Sequence, residues 1–224
     1  PFVDFKLTRE CGNDILIVEN LTKKPYFENL SFTVDKLDKI VFISDNTLVT
    51  TTLFDVLMGK VEADSGTIKW GVTITKDYMP TDNSEYFSKK GMNMCDWIRQ
   101  YSGDEQTDTF VRGWLGRMLF SGDDVFKEVS VLSGGEKVRL MLAKLMLSGA
   151  NVILLDDPSN HLDLETITSL NNGMIRYKGN LLFTSHDHEI ISTVANRVIS
   201  FKNNEIIDRK MTYDEYLERF EREH

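Results

Sequence analysis

Four places in this chain gather residue types that can do chemistry. The first is Val131-Leu132-Ser133-Gly134-Gly135-Glu136-Lys137-Val138-Arg139-Leu140. Ser133 stands three residues before Glu136, the S-x-x-E spacing of a capping box that opens a helix. Val138, Leu142 and Leu145 then recur at helical intervals. Gly134 and Gly135 leave the backbone bare in the first turn, and a helix N-terminus with bare amides and a serine hydroxyl is an anion site. The second place is Asp156-Asp157, which closes the apolar run Val152-Ile153-Leu154-Leu155. The third is His186, which closes the run Asn180 to Ser185, and the fourth is Ser44 to Thr52. A lone S-x-x-E reads as an ordinary capped surface helix, and one acid at a strand end reads as a turn cap. Two adjacent acids followed by Pro158-Ser159-Asn160-His161-Leu162-Asp163 point to a site instead.

These residues need a scaffold, and the apolar patterning supplies one. Ile40-Val41-Phe42-Ile43 is β-branched and apolar throughout, as in a strand buried on both faces of a parallel sheet. The pattern predicts a helix from Thr51 to Met58, ending at Gly59. Strand, loop and helix in that order are the framework of a phosphate-binding loop. Ile15 to Val18, Leu30 to Val34, Thr67 to Trp70, Val198 to Phe201 and Glu205 to Ile207 read as further strands. Asp64-Ser65-Gly66 reads as a turn, and Asn203-Asn204 as a hairpin turn. Tyr26, in the turn Pro25-Tyr26-Phe27, suits a loop or core aromatic as well as a ring that stacks a base. Residues 84–148 look more helical, with Trp97 and Ile98 in one segment and Val111, Leu115, Met118 and Leu119 in the next. Thr212 with Glu215 predicts a terminal helix through Phe220. The whole is an α/β domain with a largely parallel sheet. In such sheets ligands collect beyond the carboxyl ends of the strands, where the acids, the histidine and the loop all fall.

With 224 residues the chain fits one large domain, or a domain carrying an inserted subdomain. Hydrophobic content of 41% and charged content of 27% are those of a globular protein. No apolar run reaches the length that crosses a bilayer. A formal charge of −9 argues against a broad nucleic-acid-binding face. Cys11 and Cys95 have no metal or redox spacing, which is the usage of a reducing cytoplasm. The chain does not begin with Met, so it is expected to be a fragment of something longer.

Leu132 to Glu136 matches the signature sequence of ABC-type ATPases. Asp156 to Asp163 resembles their Walker B motif and D-loop, and Thr184-Ser185-His186-Asp187 their switch-histidine segment. The resemblance spans roughly residues 15–220. It implies an ABC-type ATPase domain: a largely parallel sheet of the P-loop NTPase kind, an antiparallel β portion, and a helical subdomain at about 84–148. It also implies ATP and Mg²⁺. Thr51 and Asp156 would hold the metal, Asp157 would stand near the attacking water, and His186 on the γ-phosphate. Ser133, Gly134, Gly135 and Glu136 would meet the ATP of a partner half, because ABC halves pair head to tail. Within the superfamily the chain most resembles ABC-F proteins, through Asn160-His161-Leu162-Asp163 and Tyr213-Asp214-Glu215-Tyr216-Leu217. It looks most like the C-terminal half of such a tandem protein. ABC-F members have two ATPase halves on one chain and no membrane domain, and they are linked to ribosomes.

The nucleotide loop departs from the family. The pattern G-x-N-G-x-G-K-[ST]-T falls on Ser44, Asp45, Asn46, Thr47, Leu48, Val49, Thr50, Thr51 and Thr52. All three glycines are replaced, and Thr50 stands where the lysine belongs. Holding a non-glycine residue in the left-handed region costs about 1–2 kcal/mol, and more for β-branched Thr47 and Val49. The loop is therefore expected to take another shape. Losing the lysine removes a charge-assisted bond worth about 1.5–3 kcal/mol. Thr81 occupies the Q-loop glutamine position, and Asp157 is one methylene shorter than the family's glutamate.

Three readings remain. The chain is an ABC-F ATP-binding half in an ATP-driven conformational switch, with the isolated domain weak or inactive as an ATPase. Alternatively, it is a regulatory half that lends its signature to a partner site. The third reading is the ATPase subunit of a transporter. The expected partners are a second ABC half, on the same chain or in a dimer, and the ribosome by family resemblance. No membrane insertion is expected.

Overall fold

The computed structural model describes residues 1–202 and 205–221. Asn203 and Asn204, expected as a hairpin turn, lie outside the described residues. In chain order the elements are β1 (Leu16–Lys23), β2 (Phe27–Val34), β3 (Lys39–Ser44), α1 (Thr47–Leu57), β4 (Ser65–Trp70), β5 (Lys76–Met79), α2 (Met94–Arg99), α3 (Asp108–Gly116), α4 (Gly134–Ser148), β6 (Val152–Asp156), α5 (Leu164–Arg176), β7 (Asn180–Thr184), α6 (His188–Val194), β8 (Arg197–Lys202), β9 (Glu205–Arg209) and α7 (Tyr213–Phe220). Among the described residues no helix is long and apolar enough to cross a membrane.

The chain divides into two compact units. The first, an α/β unit, comprises Leu7–Tyr78, Ala150–Asp157 and Lys178–His224. Its larger sheet has the order β5-β6-β7-β3-β8-β9. β3 lies parallel to β7 and β8, β6 runs parallel to β7, and β8 and β9 are antiparallel. The apolar runs that form these strands are buried apart from the half-buried Ile43, as strands covered on both faces must be. A second sheet, β2-β1-β4, is antiparallel. Phe32, Phe42, Phe54 and Tyr78 run through the core edge to face, with successive centroids 5.9, 5.5 and 6.2 Å apart. Arg197 is buried and donates to Asp38 at 2.8 Å and to both carboxylate oxygens of Asp208 at 2.8 and 2.7 Å. Burial pulls against its charge, but the two acids hold the guanidinium protonated. Gly66 was expected in a turn and lies instead inside β4, at φ 94°, because a Cβ there would stand 2.4 Å from the carbonyl oxygen of Asn20.

The second unit is mostly helical and comprises Pro1–Lys6, Met79–Gly149 and Pro158–Tyr177. Trp97 on α2 stacks on Phe87 at 5.0 Å and donates from Nε1 to the Tyr86 carbonyl at 2.7 Å. Trp114 on α3 donates to the Ala143 carbonyl on α4 at 2.9 Å. These bonds satisfy the polar edge of the buried Trp97 indole and of the half-buried Trp114 indole. Met118 is buried, whereas Leu119 is exposed at φ 65°, past the end of α3. The first residues run along α5. Val3 donates to Ser169 Oγ at 3.1 Å, Arg176 donates to the Val3 carbonyl at 3.0 Å, and Gly173 admits that carbonyl where a Cβ would stand 2.7 Å away.

Candidate functional site

In the α/β unit, residues 44–52 do not form the family's phosphate-binding loop but take another shape. α1 starts at Thr47, four residues before the Thr51 start predicted from the pattern. Asn46 is its N-cap and accepts from the Leu48 amide at 3.0 Å. The Val49 amide donates to the Asn46 carbonyl at 3.0 Å, and the Asn46 amide to Ser44 Oγ at 3.2 Å. None of residues 44–52 has positive φ. Thr47, Val49 and Thr50 take the helical conformation their side chains allow, and the turn winds into the helix. Thr50 is buried and donates from its hydroxyl to the Thr47 carbonyl at 3.1 Å. Asp45 and Leu48 are exposed, and Thr52 is half-buried.

The strand ends behave differently. Asp156 closes β6 and is buried. Its Oδ2 accepts from Thr51 Oγ1 at 2.6 Å and its Oδ1 from Thr184 Oγ1 at 2.8 Å. Asp157 follows at φ 52°, a conformation aspartate tolerates better than most residues. Its amide donates to Thr184 Oγ1 at 2.9 Å. His186 Nε2 lies 4.0 Å from Asp157 Oδ2, with the imidazole exposed. The structure thus brings Thr51, Asp156, Asp157 and His186 together. It adds Thr184, whose hydroxyl ties both acids to the end of β7. The position of Thr184, at a strand end two residues before His186, was the available signal.

A cleft of about 530 Å³ adjoins this end of the sheet, lined by Tyr26, Glu28, Ser44, Asp45, Val49 and Phe201 among others. Tyr26 lines it and also packs on the core, so both uses foreseen for the ring are compatible with its place.

The residues can be tested against ATP and Mg²⁺. Thr51 Oγ1 and Asp156 Oδ2 are adjacent oxygens, the donor type Mg²⁺ takes, though a site of this kind completes its octahedron with phosphate and water. The 44–50 segment does not fit a triphosphate. The amides of Asn46, Leu48 and Val49 are already bonded within the chain, and there is no lysine.

In the helical unit, Ser133 is the N-cap of α4, and both halves of the capping box form. Ser133 Oγ accepts from the Glu136 amide at 3.2 Å, and Glu136 Oε1 accepts from the Ser133 amide at 3.1 Å. That backbone bond, with help from the Ser133 hydroxyl and Lys127, holds the Glu136 carboxyl below its ordinary range. Ser133 and Gly134 are exposed. The sequence suggested that the glycines make room for a phosphate. The structure gives them another neighbour, since a Cβ on Gly134 would lie 3.3 Å from His161 Cγ and one on Gly135 2.8 Å from the His161 carbonyl oxygen. Packing alone therefore accounts for both glycines. Thr81, also in this unit, is exposed.

A family model described as ABC transporter matches residues 27–160. The chain is 56% identical over 222 residues to YkpA of Bacillus subtilis strain 168, named as an uncharacterized ABC transporter ATP-binding protein, covering 97% of this chain and 41% of that one. It is 33% identical over 223 residues to the energy-dependent translational throttle protein EttA of Escherichia coli K12, covering 93% and 39%. The chain thus spans about two fifths of the length of these curated relatives. A solved ABC transporter of metal-chelate type, in an inward-facing conformation, shares the fold with a TM-score of 0.67 at 21% identity, over 88% of this chain and 84% of that one. The α/β architecture, the strand-end acids and the matching family model lead to one conclusion: this chain belongs to the ABC transporter family, as an ATP-binding domain.

Proposed function

We propose that this domain is one half of an ABC-F protein, paired head to tail with a second ABC half, and that it acts by presenting its signature helix to nucleotide held by that partner. One contrast carries the reading. The capped start of α4 is formed and exposed, whereas the segment that would cradle phosphate in this half is wound into α1. Ser133 Oγ accepts one bond in the cap, and the hydroxyl stands exposed at the start of the helix, where an anionic oxygen can compete with Glu136 for its proton. The first amides of α4 have no partner within the helix, which is the arrangement that receives anions. Thr51 on α1 and Asp156, Asp157 and His186 at the ends of β6 and β7 are the residues that would hold Mg²⁺ and face a phosphate, the metal supplying charge neutralisation when bound. Without a cradle we assign them no hydrolytic step. Likeness to EttA, named as a translational throttle, supports the ABC-F branch and makes the translating ribosome the partner to test.

Steady-state ATP turnover by the full-length protein decides the matter. Ser133→Arg should abolish it, because the arginine fills the space of the partner's phosphate. Thr50→Ala should barely change it. Equal losses, or a large loss in Thr50→Ala alone, would show that this half's own site is the working one.

A further inference from the structure

We propose that His161 is a positioning residue for the first turn of α4, a role that rests on the signature reading above. Two consecutive glycines leave that turn with more backbone freedom than other residues would. The capping box restrains it at Ser133 and Glu136. His161 restrains it at the glycines themselves. Its ring lies against Gly134, with Cγ 3.3 Å and Cβ and Cδ2 3.6 Å from where a Cβ would be, and its carbonyl oxygen lies 2.8 Å from where a Cβ on Gly135 would be. One residue thus bears on two successive Cα atoms, once with its side chain and once with its backbone.

The backbone of His161 is itself held. It sits at φ 66°, a conformation that side chains other than glycine adopt uncommonly. On its C-terminal side the Leu162 amide donates to the Ser159 carbonyl at 3.2 Å, and Asp163 caps α5 by accepting from the Thr166 amide at 2.7 Å. These bonds fix the direction in which the carbonyl points. Ring and carbonyl together set the tilt of the first α4 amides, the groups offered to the partner's phosphate.

The test uses the full-length protein and its ATP kinetics. His161→Ala should lower kcat about tenfold with KM for ATP nearly unchanged, since a displacement well under 1 Å costs less than the roughly 10²-fold of a full ångström. His161→Asn, which keeps a residue suited to positive φ, should fall between and guards against misfolding of the alanine variant. Gly134→Ala should lower kcat, and His161→Ala should rescue it, because the added methyl meets the ring. Gly135→Ala should lower kcat without rescue, because its methyl meets a carbonyl that alanine at 161 also carries. Full kcat in His161→Ala, or losses that simply add in the Gly134→Ala/His161→Ala protein, would overturn the proposal. Ser133→Arg separates it from the reading beneath. An active Ser133→Arg protein overturns both, and an inactive one beside a wild-type His161→Ala overturns the positioning role alone.

Discussion

Thr51 Oγ1 and Asp156 Oδ2 are joined by a 2.6 Å hydrogen bond across 105 residues of sequence. The bond ties the first turns of α1 to the carboxyl end of β6. Asp156 is buried, so a lost donor leaves part of a charged group unsatisfied. Thr51→Val should destabilise the protein by about 1–3 kcal/mol. Chemical denaturation reads this directly. An unchanged midpoint would mean that the bond adds nothing.

Nucleotide affinity gives the second expectation. Thr50 is buried in α1, so Thr50→Lys alone puts a long charged side chain at a buried position. The single change should lower the melting temperature and leave MgATP binding undetectable by calorimetry. Glycine at 44, 47 and 49 together with lysine at 50 should raise the affinity, because only then can the turn unwind and face a phosphate. Tight binding by the Thr50→Lys protein would contradict this.

Arg197 supplies a third. It is buried between Asp38 and Asp208, and removing it leaves two carboxylates facing each other without a cation. Arg197→Met should cost about 3–5 kcal/mol in unfolding experiments. Asp208→Asn, which leaves Arg197 paired with Asp38, should cost less.

Lys39, at the start of β3, gives a dependence on pH. Burial pushes its ammonium down to about 8 from an ordinary 10.5. Between those values the unfolded chain binds the proton and the folded chain does not, so this group makes stability rise as pH climbs from about 8 toward 10.5. Because the residue is only half-buried, solvent screening reduces the gain to the order of 1 kcal/mol. Urea midpoints of the wild type and Lys39→Met at roughly pH 7.5, below this window, and roughly pH 10, near its upper end, should draw together at the higher pH. Parallel shifts in both proteins would remove Lys39 as the cause.

What could be read in the sequence was local or periodic. Ile40 to Ile43 and Val152 to Leu155 announce buried parallel strands because both faces must be apolar, and they are strands at the middle of the large sheet. Ser133 and Glu136 announce their helix because a capping box lies within four residues. α1 starts earlier than the pattern predicts, although Asn46 is a strong N-cap residue. The family pattern predicts a loop there, and without glycines the helix extends to fill it. Gly66 misled for a different reason, since a glycine signals a turn or a close approach equally well, and Asn20, which decides between them, is 46 residues away (66 minus 20). The contact of His161 with Gly134 and Gly135 leaves no trace in either local sequence. The left-handed backbone of Asp157 is equally silent, because aspartate is common there and elsewhere.

The place of the first residues has a consequence for how the protein is made. Val3 is fully buried, and its carbonyl accepts from Arg176, 173 positions later. A ribosome adding about 5–20 residues per second needs roughly 9–35 s to make that stretch. Throughout that interval Val3 and Phe5 are apolar side chains without their final neighbours. The helical unit is assembled from three separated segments, so it closes only when α5 has emerged. Its earliest segment must therefore wait longest, while the first strands of the α/β unit, β1 and β2, pair within 20 residues of each other and can do so at once.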